Sequence, residues 1–538
     1  MVCKKGNADD LAYVWQQTLK PDGFSPELRQ QALSWLADAA KLNNVVPSGD
    51  LKAVTQLFDD PQAKSSPEFM LAAMRLAAIW KVPGMATHLQ KIIASPDTAL
   101  PLKKTALSAL VSLDDAESAA ILKQIAEAEG PVAFRMEVAA ALTRLDADAA
   151  AQVAGKLFAQ AAPSDDSGPL VEAFLIRQGG PEKLAVALAE VNLPTDVAKR
   201  ALRAMYAAGR NDAPLADVLG KAAGIGDEVP PPTGDDLARL CEEVLAKGDS
   251  SRGEQIFRRT ELNCMKCHSV SGGGGNIGPD LSPVGGTSPI DYVVSSILDP
   301  SRAIKEQFVT RNFVTSEGQV LSGIVVDRNE KQITLKDATG KIVVIPADDI
   351  EDEAEGKSLM PEGLTRFLTH QELLDLAKFI SELGKPGPYA VRTRQTVQRW
   401  RVLREPAEHL VREVPNIEIL REGVVNQPED AWLPAFGKVG GALPLEELRQ
   451  ATGQRVLYLQ GSVEVKQPGP IQVQITSPLP TQAWIGATPM QDHQQFTNEF
   501  NAGLYTVTIR VELPEEPTGE LTLEFTKPEG SSAQFVAQ

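Results

Sequence analysis

Cys264-Met265-Lys266-Cys267-His268 sets two thiols three residues apart with an imidazole directly after the second. One helical turn brings thiols so spaced to the same side of the chain. There they can form thioethers with the two vinyl groups of a haem, and the next residue can offer its imidazole to the iron. Three other chemistries use similar residues. A zinc site needs two further ligands, but there is no second Cys-x-x-Cys, and His88, His370, His409 and His493 are scattered. A thiol–disulfide redox pair needs a βαβ frame, whereas helical sequence precedes this motif. A buried structural pair leaves His268 without a role. The spacing therefore predicts one covalent haem c on Cys264 and Cys267, with His268 as a metal ligand. The remaining cysteines, Cys3 and Cys241, complete a set of four in 538 residues, too few for a disulfide framework.

A haem iron held by one imidazole needs its ring fixed and its other side defined. After a glycine run, Gly272 to Gly275, comes Ile277-Gly278-Pro279-Asp280-Leu281. The Pro279 carbonyl is placed to accept the Nδ1 proton of His268, a bond that fixes the ring and tunes the metal. For the sixth ligand, Met360 in Ser358-Leu359-Met360-Pro361 is the candidate, since it alone of nine methionines stands just before the last helix of this region. A thioether favours Fe(II) and raises the potential relative to a second histidine. The plainer reading of Met360 is a core side chain. His370 is the second choice, read as a surface residue at a helix start.

The elements that must position these groups follow from periodicity. Gly253 sits on a helix before the motif, where it allows close helix approach, and Phe257 falls on the same face four residues later. Gln371 to Leu383 is the expected partner helix, with Leu374, Ala377, Phe379 and Ile380 apolar. Residues 8–225 read as helix after helix with an internal repeat: a shift of 32 lays Leu110 on Leu142, Asp114 on Asp146 and Ile121 on Val153. Helix pairs so repeated must stack to bury their apolar faces, which predicts an all-α HEAT-like solenoid. The Pro230-Pro231-Pro232 stretch breaks the helices, and a c-type cytochrome domain is expected over 236–385. Inside it, at about 308–350, alternating segments around Phe313, Val320 to Val326, Ile333 and Ile342 to Ile345 predict a small antiparallel sheet, with turns at Ser316-Glu317-Gly318 and Asp337 to Gly340. Residues 391–454 read as a mixed linker region. Residues 455–538 alternate in short strands between Pro- and Gly-rich turns, as in a β-sandwich. The fold class is thus multidomain: an all-α HEAT-like solenoid, a haem-binding helical domain with an inserted antiparallel sheet, and a C-terminal β-sandwich.

The composition, 43% hydrophobic and 23% charged, allows several cores. A net charge of -18 argues against nucleic acid or an anionic membrane as the main partner. No apolar run is long enough to span a bilayer, and no apolar stretch follows the first lysines as a secretion signal would require. Haem c attachment takes place outside the cytoplasm, so the expected location is periplasmic or otherwise extracytoplasmic, with the chain a fragment or its start misassigned.

Residues 237 to 384 resemble the haem-binding cytochrome c domain of the planctomycete–verrucomicrobial (PVC) type. The resemblance rests on Gly248-Asp249 to Arg252-Gly253, the Cys264 to His268 motif, Gly278-Pro279-Asp280-Leu281, Ile297-Leu298-Asp299-Pro300-Ser301-Arg302, the inserted sheet, and Ser358-Leu359-Met360-Pro361-Glu362-Gly363-Leu364. It covers about a quarter of the chain. It implies a class I-like cytochrome c domain with His268 and Met360 as axial ligands, and makes Arg302 either a partner for a haem propionate or a solvated charge. Large proteins of this kind often carry a propeller-type dehydrogenase domain ahead of helical repeats, and this chain has the repeats without the propeller.

The expected function is single-electron transfer by a mono-haem cytochrome, from a dehydrogenase donor to a respiratory acceptor, rather than catalysis by this chain alone. Two alternatives stand beside it. One is a haem peroxidase or gas sensor, which needs an open iron. The other is an interaction or carbohydrate-binding scaffold, in which the repeats or the sandwich make protein or glycan contacts, with Trp432 and Trp484 as sugar-stacking residues and the haem accessory.

Overall fold

A computed structural model describes the chain apart from residues 1, 2, 4, 5, 21, 96, 97, 164, 209–211, 226–229, 317–319, 392–394, 491 and 493. His493, part of the expected break before residue 236, and the Glu317-Gly318 turn lie outside the described residues. The chain divides into two compact units, residues 1–228 with 366–369, and residues 229–365 with 370–538.

The first unit is helical. Its elements include α1 (Ala8–Leu19), α2 (Pro26–Asn43), α3 (Pro67–Ile79), α4 (Met85–Ala94), α5 (Leu100–Leu113), α6 (Ala116–Glu127), α7 (Val132–Leu142), α8 (Ala147–Gln160), α9 (Gly168–Leu175), α10 (Gly180–Ala189), α11 (Thr195–Ala207) and α12 (Ala213–Ala222). Short polar side chains set the starts: Ser66, Asp115 and Asp146 each accept a bond from the backbone N–H three residues on. Helices α3, α5, α7, α9 and α11 pack in one row, and α4, α6, α8, α10 and α12 in another. Between the rows runs one core that includes Leu110, Leu142, Val153 and Phe174. Gly155 lets α8 approach α10, since a methyl there would lie 2.8 Å from the Ala187 carbonyl oxygen.

The sequence repeat holds at 32 residues for the first helices, where Leu110 and Leu142 are both fully buried. In the second helices the spacing is one shorter: the N-caps are Asp115 and Asp146, a separation of 31. Asp114, which the repeat lays on Asp146, is instead a left-handed residue ending α5.

In the second unit, helices α13 (Gly234–Lys247), α14 (Ser250–Phe257), α15 (Ile290–Leu298) and α16 (His370–Glu382) pack together, α16 touching each of the other three, and the one-turn helix Cys264–Cys267 follows α14 in the chain. Helices α14 and α16 cross at Gly253, where a methyl would fall 2.0 Å from the Asp375 carbonyl oxygen. Phe257 then meets Phe379 with ring centroids 5.5 Å apart. The crossing is tied by a buried carboxylate: Asp375 accepts from the Asp249 N–H at 2.8 Å and from Arg252 Nε at 2.7 Å. Asp249 in turn caps α14 through Ser251 and Arg252 N–H. The Gly248 to Gly253 motif is therefore a helix start and a helix crossing in one.

Strands β1 (Ser269–Val270) and β2 (Gly273–Gly274) form a hairpin directly after the one-turn helix, where the glycine run suggested a loop. The inserted sheet is larger than its apolar alternation indicates. Strands β3 (Thr310–Thr315), β4 (Val320–Arg328), β5 (Gln332–Lys336), β6 (Ile342–Pro346) and β7 (Ile350–Glu355) pair antiparallel in the order β6-β5-β4-β3-β7. Phe313, Ile333, Leu335 and Ile345 form its core. Strand β7, Ile350-Glu351-Asp352-Glu353-Ala354-Glu355, has an acidic sequence with no apolar alternation and is a strand because β3 supplies its ladder.

Two sheets make up the C-terminal region. Strands β9 (Arg399–Leu403), β10 (Trp432–Phe436), β12 (Val456–Gln467), β14 (Thr481–Ile485), β15 (Thr488–Pro489), β17 (Gly503–Glu512) and β19 (Gln534–Ala537) form one. Strands β8 (Gln395–Thr396), β11 (Leu443–Pro444), β13 (Gly469–Thr476), β16 (Gln495–Phe500) and β18 (Glu520–Thr526) form the other. Both sheets contribute to one core. The stretch 391–454, read from sequence as a mixed linker, thus supplies strands to both sheets: β9 pairs with β12, and β8 and β11 pair with β18. β8 and β11 are two-residue strands whose partner, β18, lies far along the chain, so local patterning does not mark them, while β9 and β10 pair with each other within the stretch.

Candidate haem site

The one-turn helix Cys264–Cys267 starts after Asn263 in the left-handed conformation and ends when the His268 N–H donates to the Cys264 carbonyl at 2.8 Å. His268 is extended, so its ring leaves the turn sideways. His268 Nδ1 lies 2.9 Å from the Pro279 carbonyl oxygen, which requires Nδ1 to carry the proton and leaves Nε2 as the free lone pair. Gly278 lies flat against the same ring: a methyl there would come within 2.7 Å of Cε1. The Gly278 N–H donates to the Cys267 carbonyl at 2.8 Å, which locks this loop to the turn. Burial lowers the affinity of His268 for a second proton, against a smaller opposing effect of the Pro279 bond. The ring is therefore held neutral, the form that binds metal.

Cys264, His268, Pro279 and Met360 line one cavity, together with Phe257 of α14, Tyr292, Val293 and Ile297 of α15, and Leu376 and Ile380 of α16. Its walls are mostly apolar, as a porphyrin face requires. Burial pushes the Cys264 thiol up to about 12 and raises Cys267 as well. Thiols held neutral are poor redox nucleophiles and poor zinc ligands. Among the described residues no group of three or more His, Cys, Asp or Glu is placed to hold a metal ion. An apolar slot with the neutral Cys264 thiol and the His268 imidazole at its wall, and Cys267 on the same one-turn helix, fits a covalently held haem and does not fit a polar metal centre.

Met360 is on the lining, its N–H donating to Ser358 Oγ at 3.2 Å. His370 is exposed and faces Glu243 at 2.8 Å, away from the cavity lining. Arg302 is exposed and is not on the lining, and its backbone N–H donates to the Asp299 carbonyl. Thr310, whose hydroxyl bonds the segment before Met360, is marked by no motif; Ser301, which reaches the same segment, stands in the Ile297 to Arg302 motif, which gives it no role. Trp432 and Trp484 are buried, and the Arg401 guanidinium lies 4.6 Å from the Trp432 ring, so neither indole can stack on a sugar.

Residues 250–384 match the family model described as cytochrome c. No curated protein matches the chain. This stretch is a cytochrome c domain, and the family implies covalently bound haem c and electron transfer through it. It is flanked by a helix-rich N-terminal region and by C-terminal strand-rich sheets. Among the described residues no helix is long and apolar enough to cross a membrane.

Proposed function

We propose that this chain is a mono-haem c-type cytochrome of the PVC type that relays single electrons between a dehydrogenase donor and a respiratory acceptor outside the cytoplasm, and is not an enzyme by itself. Residues 8–225 are a HEAT-like solenoid, and residues 236–385 a class I-like cytochrome domain. The observation that carries this reading is a single apolar cavity with Cys264 and His268 on its wall and Met360 on its lining.

Cys264 and Cys267 would hold the haem covalently, and His268 and Met360 would ligate its iron. When bound, the haem supplies a one-electron couple. The chain supplies everything else. Pro279 holds the Nδ1 proton and so aims Nε2 into the cavity. A thioether from Met360 stabilises the reduced state. Phe257, Val293 and Ile380 keep water from the iron, which limits the reorganisation that accompanies each change of charge. With His268 and Met360 both given to the iron, no open site would remain for a peroxide or gas ligand, which separates this reading from a peroxidase or sensor.

Purified holoprotein, denatured and extracted with acidified solvent, should retain its pigment, and its ferric spectrum should be low-spin with a sulfur-to-iron charge-transfer band. Met360→Ala should abolish that band and let carbon monoxide bind the ferrous protein rapidly. A high-spin ferric wild type, or wild type that binds carbon monoxide as fast as the variant, would overturn the Met360 assignment.

A further inference from the structure

The inserted five-stranded sheet contacts the two chain segments that lead to Pro279 and to Met360 on the cavity lining. At one end, β3 begins with Thr310, which is 2% exposed. Its hydroxyl donates to the Lys357 carbonyl at 2.6 Å, and its carbonyl accepts from the Gly356 N–H at 2.9 Å. Thr310 therefore grips the chain as it leaves β7 and turns toward Met360, three residues beyond Lys357. Gly356 has to be small for this: a methyl there would lie 2.2 Å from Thr310 Oγ1. The Ser358 N–H points to Ser301 Oγ at 3.4 Å, a weaker second tie on the same segment.

At the other end, the β5–β6 turn reaches the segment ahead of Gly278. Lys336 Nζ donates to the Asn276 carbonyl at 3.1 Å. Gly340 sits over Ile277, close enough that a methyl would lie 3.4 Å from its Cγ1. The next residue, Gly278, lies against the His268 ring. One rigid sheet, held by antiparallel ladders from β6 to β7, thus contacts the chain two residues before the imidazole's neighbour and three residues before the methionine.

From this geometry we infer that the inserted sheet is a brace that sets both axial ligands, with Thr310 as the positioning residue for Met360 and Lys336 for the His268 side. This rests on the reading of Met360 as the sixth ligand. A methionine loop is a weak clamp, because the thioether gains only one bond for the order imposed on the chain around it. Fixing the chain three residues away lowers that ordering cost and so favours the ligated state over the detached one.

The test uses full-length holoprotein and imidazole, which must displace the methionine to bind ferric iron. Thr310→Val keeps the shape but leaves the Lys357 carbonyl without its donor. It should bind imidazole roughly two- to tenfold more tightly than wild type, the factor one hydrogen bond carries, with a weaker sulfur-to-iron band. Thr310→Ser should restore wild-type affinity. Gly356→Ala, which displaces the same hydroxyl by another route, should reproduce the Thr310→Val result if that variant folds poorly. Lys336→Met should move the hyperfine-shifted proton resonances of the His268 ring while imidazole affinity stays near wild type. Val344→Thr, on the exposed face of β6, is the control. Thr310→Val and Gly356→Ala matching that control in affinity and spectrum would overturn the brace. If wild type already binds imidazole as tightly as Met360→Ala, the ligand assignment itself falls and takes the Thr310 role with it, an outcome distinct from a normal wild type with a silent Thr310→Val.

Discussion

The two walls of the haem cavity are built in different ways. On the His268 side the bonds that fix the ring lie within one short stretch of chain: the turn at 264–267, the Gly278 N–H on the Cys267 carbonyl, and the Pro279 carbonyl 2.9 Å from Nδ1. The sheet adds Lys336 and Gly340 on the segment ahead of Gly278. On the Met360 side local bonds run from the Met360 N–H to Ser358 Oγ and from Lys357 to Glu362, and the buried tie is long-range, through Thr310, with Ser301 beside it. A locally built wall forms when its own turn forms. A wall built from distant partners waits for the sheet and for the α14–α16 crossing. Damage to the sheet should therefore shift the proximal side without detaching it, and the distal side should be the first to loosen.

The largest effect should come from removing the covalent anchor on the local wall. With Cys264→Ser and Cys267→Ser together, haem loaded onto the protein should wash out completely into acidified solvent, while wild type retains it. Each single variant keeps one link and should retain the pigment with a shifted reduced absorption band. Retention of pigment by the double variant would show that the attachment lies elsewhere and would undo the contrast between the walls.

A smaller effect, still on the proximal wall, should follow from Gly278→Ala. The new methyl would sit 2.7 Å from His268 Cε1 and 3.0 Å from Nδ1, so the ring or the loop has to move. Overpacking of this kind costs about 1–3 kcal/mol. The tilted ring would lengthen the bond to the Pro279 carbonyl and weaken its electron push on the iron. Chemical denaturation should record the loss of stability, and the His268 ring resonances should shift, with the sulfur-to-iron band retained. Loss of that band with unshifted His268 resonances would mean that the two walls are not independent.

The same contrast explains what was legible in the sequence. The proximal wall is written in contiguous residues, Cys264 to His268 and Gly278 to Pro279, each with a chemical reason to be there. Apolar alternation exposed four strands of the insertion but not β7, because its Glu and Asp side chains carry no burial signal and only pairing with β3 makes it a strand. Nor did any pattern mark Thr310, a threonine in a β-rich segment, as a contact to the Met360 loop. Arg302, singled out only by family likeness, lies off the cavity lining. In the helical unit the repeat was visible, yet its second helices register one residue differently because Asp114 takes a left-handed turn that the matching position does not. In the C-terminal region, β8 and β11 left no signal because they are two residues long and pair only with the distant β18.

The smallest effect should come from a residue that serves neither wall. Glu254 lies on α14, one residue after the Gly253 crossing, and its carboxylate accepts from the Val439 N–H at 2.7 Å. Beside it Arg258 is bound by Glu447 and by the Phe436 and Gly437 carbonyls. Burial raises the Glu254 carboxyl above its ordinary value, opposed by the Val439 N–H and by Arg258 and Lys438. A raised acid favours the folded state while protonated, so its contribution is present below the ordinary carboxyl range and is lost as pH rises through the folded value. Glu254→Gln keeps an oxygen for Val439 and cannot ionise. The variant should match wild type in thermal stability at about pH 4 and exceed it at about pH 8, with the sulfur-to-iron band and the His268 resonances unchanged at both. A gain that is larger in acid would reverse the sign and mean that the ionised carboxylate stabilises the fold. A change at either axial ligand would place Glu254 within the haem environment and not only at the seam between α14 and the C-terminal strands.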